Sequence, residues 1–217
     1  IRMRLVGSEM CIRDRICSKI QSLSYDEQIK EKSSQVEDAF VRLGGFLNFK
    51  LDKVQKANLI YHYRNKMEFT FSPNRWVLES EPEGVDKSFA LGLHIPGRFD
   101  KILNKHNCHI QPEIGNKILA VAREVCLANP ELRPYDPRSH IGFLRFLMLR
   151  FGVNTGDLMV NVVTSYHDID KLSPLTDLLL EKFPEITSLV NNVNTRKADV
   201  AFGEYETLLY GKPFIQE

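Results

Sequence analysis

The stretch from Tyr61 to Phe71, YHYRNKMEFTF, constrains the fold more than any other part of the chain, because apolar and polar side chains alternate along it. Side chains of a β-strand point to opposite faces in turn. One face would carry Tyr61, Tyr63, Asn65, Met67, Phe69 and Phe71, and the other His62, Arg64, Lys66, Glu68 and Thr70. The pattern predicts a strand with one face in a core and one charged face, which is also typical of an ordinary solvated strand in an α+β domain.

The rest of the chain switches between helical and strand periodicity. Residues 25–43 repeat apolar side chains at helical spacing, and Ser24 and Glu27 occupy the positions of a capping box. Further helices are predicted at 112–129 and 175–183, and strands at 75–78, 89–95, 141–151, 157–164, 186–193 and 207–210. The expected fold class is α+β: a mostly antiparallel sheet with packed helices, preceded by an N-terminal amphipathic helix.

Composition restricts the environment of the protein more than its function. Hydrophobic residues make up 43% and charged residues 26% of the chain, as in globular proteins. Without a bilayer-length apolar run or a signal-peptide pattern, the sequence predicts a cytoplasmic protein with no membrane partner. Basic residues number 29 and acidic residues 28, so any contact with nucleic acid must come from a local patch.

Four segments resemble the RNA uracil-5-methyltransferases, which use S-adenosylmethionine to methylate carbon 5 of uridine in tRNA and rRNA. The segment YRNKMEF, beginning at Tyr63, resembles a signature of that family. The segments LGLHIPGRFDKI, YDPRSHIGFLRFLMLR and VNNVNTRKADVAFGEYETLLYG follow in the order and spacing of the region before its methyltransferase domain. The resemblance covers residues 19–217 and implies a tRNA or rRNA partner and S-adenosylmethionine as cofactor.

The resemblance also implies a division of the chain. Residues 1–15 look like translated sequencing-adapter sequence, expected to pack against nothing; 16–45 would form the N-terminal helix and 46–217 a central α+β domain. The family's nucleophilic cysteine, general base and cofactor loop belong to a Rossmann-like domain, whose Asp-Pro-Pro and Ser-Cys-Asn-Pro motifs do not occur here. We therefore expect a fragment truncated before the catalytic domain, without catalytic residues and inactive alone. A free-standing, non-catalytic RNA-binding or protein-interaction module is the alternative.

Basic and amide side chains are the candidate contacts to RNA. Guanidinium and ammonium groups bind phosphates, and asparagine amides can read base edges. The candidates are Arg64, Asn65, Lys66, His140, Arg145, Asn192 and Asn194. If Arg64, Lys66, Arg145 and Arg150 contact phosphates, their side chains should form one connected surface.

The four cysteines, Cys11, Cys17, Cys108 and Cys126, are too few for a disulfide scaffold. Cys126 falls on the apolar face of a predicted helix and is expected to be a buried small hydrophobe. Many members of the resembled family hold an iron–sulfur cluster with three N-terminal cysteines and a fourth after the PGRF segment. That resemblance makes Cys108 and Cys17 candidate cluster ligands in the parent protein rather than in this chain.

A metal site built from histidines is a further alternative. Its candidate ligands are His62, His94, His106 and His109. Only His106 and His109 have a spacing typical of metal ligands, and no second ligand pair accompanies them.

Overall fold

The structure is a computed structural model that describes residues 20, 23–78, 81–95, 97–104, 106–198 and 200–217. Its contacts divide the chain into two units, Ile1–Ile60 and Tyr61–Glu217, which we describe separately. The domain boundary predicted after residue 45 stays a prediction. The adapter-like segment 1–15 and Cys17 lie outside the described residues.

The first unit contains helix α1, Tyr25–Asp38. The Ser24 hydroxyl accepts a hydrogen bond from the Glu27 N–H at 3.3 Å, and the Glu27 carboxylate accepts one from the Ser24 N–H at 2.9 Å. This reciprocal arrangement is the predicted capping box. The helix then changes to a π-helical turn, Ala39–Leu43, and neither element contains a buried residue.

The second unit is built on a sheet that has eight strands within the described residues. The strands are β1 Lys66–Ser72, β2 Arg75–Trp76, β3 Ala90–Ile95, β4 Arg98–Asn104, β5 Leu144–Phe151, β6 Leu158–Thr164, β7 Ser188–Val193 and β8 Tyr205–Gly211. Their spatial order is β2-β4-β3-β1-β5-β6-β7-β8. The β2–β4 and β6–β7 pairs are parallel, and the other neighbours are antiparallel. The predicted mostly antiparallel sheet is confirmed.

Two helices of this unit, α2 Glu113–Ala128 and α3 Ile169–Lys182, cover one face of the sheet. Their buried side chains join those of the strands in one hydrophobic cluster, to which Ile118, Leu175 and Phe69 contribute. The α+β class predicted from the sequence is thereby confirmed. Over the described ranges, no helix combines the length and the apolar character needed to cross a bilayer.

Strand β1 begins at Lys66 rather than at residue 61. The N–H groups of His62 and Arg64 donate to the carbonyls of His109 and Ile110, at 2.9 and 2.8 Å, so this segment bonds to an irregular loop instead of a strand. His62 also has a φ of 58°, outside the β region. The side chains of Met67, Phe69 and Phe71 are buried as predicted. Three members of the same predicted face are exposed instead: Tyr61, Tyr63 and Asn65.

Two elements differ from the prediction at a glycine and a proline, residues that usually end a strand or a helix. Strand β4 is absent from the strands predicted above, because glycine commonly ends a strand. Here Gly97, with a φ of 78°, turns the chain back into a strand antiparallel to β3. Helix α3 begins earlier than predicted, at Ile169, where the Asp168 carboxylate accepts a hydrogen bond from the Lys171 N–H at 3.0 Å. Pro174 lies inside this helix, and a proline in a helical pattern normally indicates an end.

Candidate nucleic-acid interface

The face of the sheet opposite the helices carries the predicted basic side chains of β1. Lys66 lies directly opposite Arg150 of β5 in the antiparallel register, and both side chains are exposed. Directly opposed residues have Cβ atoms about 4.5–5.5 Å apart. Arg64, just before the strand, is also exposed, and its Nε donates to the Lys66 carbonyl at 3.0 Å. We call Arg64, Lys66 and Arg150 the basic patch.

The basic patch keeps a positive character despite one acidic neighbour. The Lys66 Nζ lies 2.8 Å from a carboxylate oxygen of Glu68, but both side chains are more than 40% exposed. Exposed ion pairs contribute at most about 1 kcal/mol. Like charges placed opposite each other on a sheet are themselves unfavourable. The Lys66–Arg150 pair therefore does not stabilise the fold, and a polyanion is a ligand that would relieve the repulsion.

Main-chain hydrogen bonds hold the backbone of the patch in place. The Arg64 N–H donates to the Ile110 carbonyl at 2.8 Å, and the Phe151 N–H donates to the Asn65 carbonyl at the same distance. The exposed side chains of Arg64 and Asn65 are thus presented from a fixed backbone.

Arg145 is buried, which corrects its prediction as a surface contact. Its side chain is 2% exposed. Its guanidinium donates to the carbonyls of Asn194, Arg196 and Ala198, at 2.8, 2.6 and 2.6 Å, and lies 4.3 Å from the centre of the Tyr135 ring. The guanidinium therefore organises the loop between β7 and β8, and the predicted connected surface consists of the basic patch without Arg145.

Asn192 and Asn194 are also buried and organise the same loop. The Asn192 amide donates to a carboxylate oxygen of Glu206 at 2.7 Å and accepts from the Gly203 N–H at 2.6 Å. The Asn194 amide donates to the Val200 carbonyl at 2.8 Å. Both side chains are at most 3% exposed, so the structure corrects their prediction as base-reading groups at the surface.

His140 remains at the surface, in the loop before β5. Its φ of 61° lies in the left-handed region, and its Nδ1 is 2.9 Å from the Tyr135 hydroxyl. This contact links the exposed ring to the residue that stacks against Arg145. His140 does not lie on the strands that carry the basic patch.

The two described cysteines, Cys108 and Cys126, lie buried in the hydrophobic cluster. The side-chain amide of Asn116 brackets the Cys108 peptide, with hydrogen bonds of 2.9 and 3.2 Å to its N–H and carbonyl. Within the part of the chain that the structure describes, no group of three or more histidine, cysteine or acidic residues could hold a metal ion. The described residues therefore do not by themselves form a site for an iron–sulfur cluster. The alternative metal site built from histidines gains no support from them either.

The sequence did not reveal that Arg150 stands opposite Lys66. Alternation places Arg150 on a strand, but only the register of β1 against β5 brings the two side chains together. A hydrophobic pattern fixes which face a residue takes, whereas the partner strand is a property of the whole sheet.

Proteins named as RNA methyltransferases match nearly the whole of this chain. An uncharacterised RNA methyltransferase of Porphyromonas gingivalis is 39% identical over 95% of the chain and 46% of its own length. A second, from Chlorobaculum tepidum, is 38% identical over 92% of the chain and 42% of its own length. The chain thus spans less than half the length of these relatives. No family model matches it.

A solved structure shares the fold. The tRNA (uracil-54, C5)-methyltransferase of Pyrococcus abyssi, determined in complex with S-adenosyl-L-homocysteine, superposes with a TM-score of 0.64 at 22% identity. The match covers 91% of this chain and 41% of that protein. The resemblance to RNA methyltransferases seen in the sequence motifs is supported by these relatives, and the fold is that of part of a tRNA (uracil-54, C5)-methyltransferase.

Proposed function

We propose that residues 61–217 form the RNA-contacting part of an S-adenosylmethionine-dependent RNA (uracil-C5) methyltransferase that acts on tRNA or rRNA in the cytoplasm. One observation carries the proposal: Lys66 and Arg150 stand side by side on an exposed sheet face in a relative of RNA methyltransferases. Phosphate contacts of this kind position a nucleic acid without reading its sequence. Asn65 and His140 are the remaining exposed candidates.

The chemistry of methyl transfer would come from the rest of the longer protein. A thiolate that adds to carbon 6 of uracil, a base for the carbon 5 proton and the sulfonium methyl must be held together at about 3–3.5 Å. Neither described cysteine can act as this nucleophile, because Cys108 and Cys126 are at most 5% exposed. The 217-residue chain alone should therefore bind RNA weakly without methylating it. An iron–sulfur cluster on Cys108 and Cys17 in the parent protein stays a prediction.

The test compares two charge-matched double variants. Lys66→Ala with Arg150→Ala removes two charges of the basic patch, and Lys117→Ala with Lys182→Ala removes two exposed charges of the helix layer. Binding of unmodified tRNA and rRNA fragments would be followed by fluorescence anisotropy over a range of salt concentrations. We expect the patch variant to bind about tenfold more weakly, with a salt slope smaller by about 0.7 per lost single-strand contact.

Equal losses of RNA affinity in the two double variants would show that the overall charge of the protein, rather than the basic patch, binds the RNA. Incubating the wild-type chain with labelled S-adenosylmethionine and the same RNAs completes the test. Methylated uridine in that reaction would contradict the assignment of catalysis to the rest of the protein.

A further inference from the structure

Two methionines lie beside the basic patch on the same face of the sheet. Met159 of β6 stands directly opposite Arg150, on the side away from Lys66, and Met148 of β5 stands directly opposite Asn161. Directly opposed residues on a sheet have Cβ atoms about 4.5–5.5 Å apart, and diagonal neighbours such as Met148 and Met159 are about 7–8 Å apart. The two thioether side chains therefore form one apolar surface that continues the basic patch.

This methionine surface, Met148 and Met159, is open to solvent but small. Both side chains are half-buried, and the two helices cover the other face of the sheet. Further along the same face, Phe146 and Val163 are at most 6% exposed, and Val190 on the neighbouring strand β7 is 4% exposed. A stable protein interface needs about 800 Å² from each partner. The bounded apolar surface is far smaller than that and is suited to one flat ring.

The charges around the methionine surface favour a nucleotide over an uncharged ligand. Lys66 and Arg150 supply two exposed positive groups on one side of it. The Glu68 carboxylate, opposite Met148, lies 2.8 Å from the Lys66 Nζ and repels a phosphate above that row of the sheet. A phosphate is therefore placed best at Arg150, next to Met159. The base of the same nucleotide can then reach the two thioethers, which make favourable contacts with aromatic rings.

We propose that the methionine surface is a stacking platform for one unpaired base of the RNA whose phosphate the basic patch binds. The phosphate contacts Arg150 and Lys66, and the ring of that nucleotide lies flat on Met148 and Met159. Bases in a duplex are stacked on their neighbours, so the platform selects single-stranded segments such as loops. Contact with a ring face tolerates any sequence, because every base has such a face. The inference rests on the proposed RNA binding and adds residues that the basic patch does not include.

The experiment compares two strands of equal charge. One is a short oligouridine, and the other is a sugar–phosphate strand of the same length without bases. Fluorescence anisotropy would give both affinities at one salt concentration. The wild-type chain should bind oligouridine about fivefold more tightly than the abasic strand, as expected for one ring in contact with two thioethers. Phosphate contacts alone would give equal affinities.

Variants then locate the preference for bases. Met148→Ala with Met159→Ala should bring the two affinities together, while binding of the abasic strand stays the same. Met148→Leu with Met159→Leu keeps an apolar surface and should retain a larger preference than the alanine variant. Leu127→Ala, which removes an exposed apolar side chain from α2, is the control and should keep the wild-type preference. Circular dichroism would verify folding, and Met159→Ala alone, expected to reduce the preference by about half, provides the test if the double alanine variant is not folded.

Equal wild-type affinities for oligouridine and the abasic strand would overturn the platform proposal. A preference that survives Met148→Ala with Met159→Ala, or one that Leu127→Ala removes as well, would also overturn it. Failure of the basic patch gives a different result. In that case Lys66→Ala with Arg150→Ala would bind both strands like its control, while the wild-type preference for bases and its loss in the methionine variant would stand.

Discussion

Replacing Arg145 with methionine separates a structural role for this side chain from contact with RNA. Methionine keeps much of the buried volume but removes three hydrogen bonds of 2.6–2.8 Å to the carbonyls of Asn194, Arg196 and Ala198. It also removes the guanidinium from the Tyr135 ring. The three carbonyls anchor the loop between β7 and β8, so the variant should lose stability and the order of that loop.

The expected loss follows from the charge and burial of the group. Hydrogen bonds to charged groups contribute about 1.5–3 kcal/mol each, but bonds from one guanidinium are not additive. Removing the guanidinium leaves three carbonyls without this donor, at a cost of about 1–3 kcal/mol each, so we expect a total of about 3–5 kcal/mol. We expect a decrease of this size in the free energy of unfolding. At about 2–4 °C per kcal/mol, the Tm should fall by about 10 °C.

Urea unfolding followed by circular dichroism gives the free energy, and Arg150→Met is the matched control. Arg150 is exposed on the same strand, so its replacement should change stability by no more than about 0.5 kcal/mol. A loss in Arg145→Met as small as in the control would refute the structural role. Weaker RNA binding with unchanged stability would restore the role first predicted for Arg145.

Three further predictions concern single groups of the second unit. Burial raises the pKa of the Cys126 thiol to about 12, so iodoacetamide near neutral pH should alkylate it only after unfolding, as read by mass spectrometry. Partial burial opposes ionisation of Asp136, but hydrogen bonds from Arg138 and Ser139 outweigh it and lower its pKa. The ionised Asp136 carboxylate stabilises the folded state fully above its unfolded pKa of 3.8, and this stabilisation is lost as the pH falls below that value. The free energy of unfolding of Asp136→Asn, measured over acid pH, should therefore fall less steeply than that of the wild type. Gly142→Ala should lower the Tm more than Gly156→Ala, because both have positive φ but only Gly142 would also place its Cβ against a carbonyl oxygen.

Sequence patterns located the sheet and its core because local alternation and burial agree along β1. Met67, Phe69 and Phe71 were predicted inside and are buried. Arg145 was predicted at the surface because the groups that enclose its guanidinium, the carbonyls of Asn194, Arg196 and Ala198, lie 49 to 53 residues further along the chain. The residues next to Arg145 in the sequence therefore do not indicate its burial.

Asn192 and Asn194 were predicted at the surface for a different reason. Asparagine is usually exposed, and a run of asparagines after an apolar strand resembles a turn. Here Asn192 forms a hydrogen bond with Gly203, and Asn194 forms one with Val200. Both partners lie in the loop between β7 and β8, and the residues next to the asparagines do not indicate how that loop folds back. Buried polar groups need partners, and those partners come from the folded chain.

The charges of the basic patch predict how RNA binding responds to salt. Contacts with phosphates release counterions, so their contribution to affinity falls as salt rises. Raising the salt concentration should therefore narrow the difference in RNA affinity between the wild type and Lys66→Ala with Arg150→Ala. If that difference stayed the same at every salt concentration, Lys66 and Arg150 would affect RNA binding by a route other than their charge.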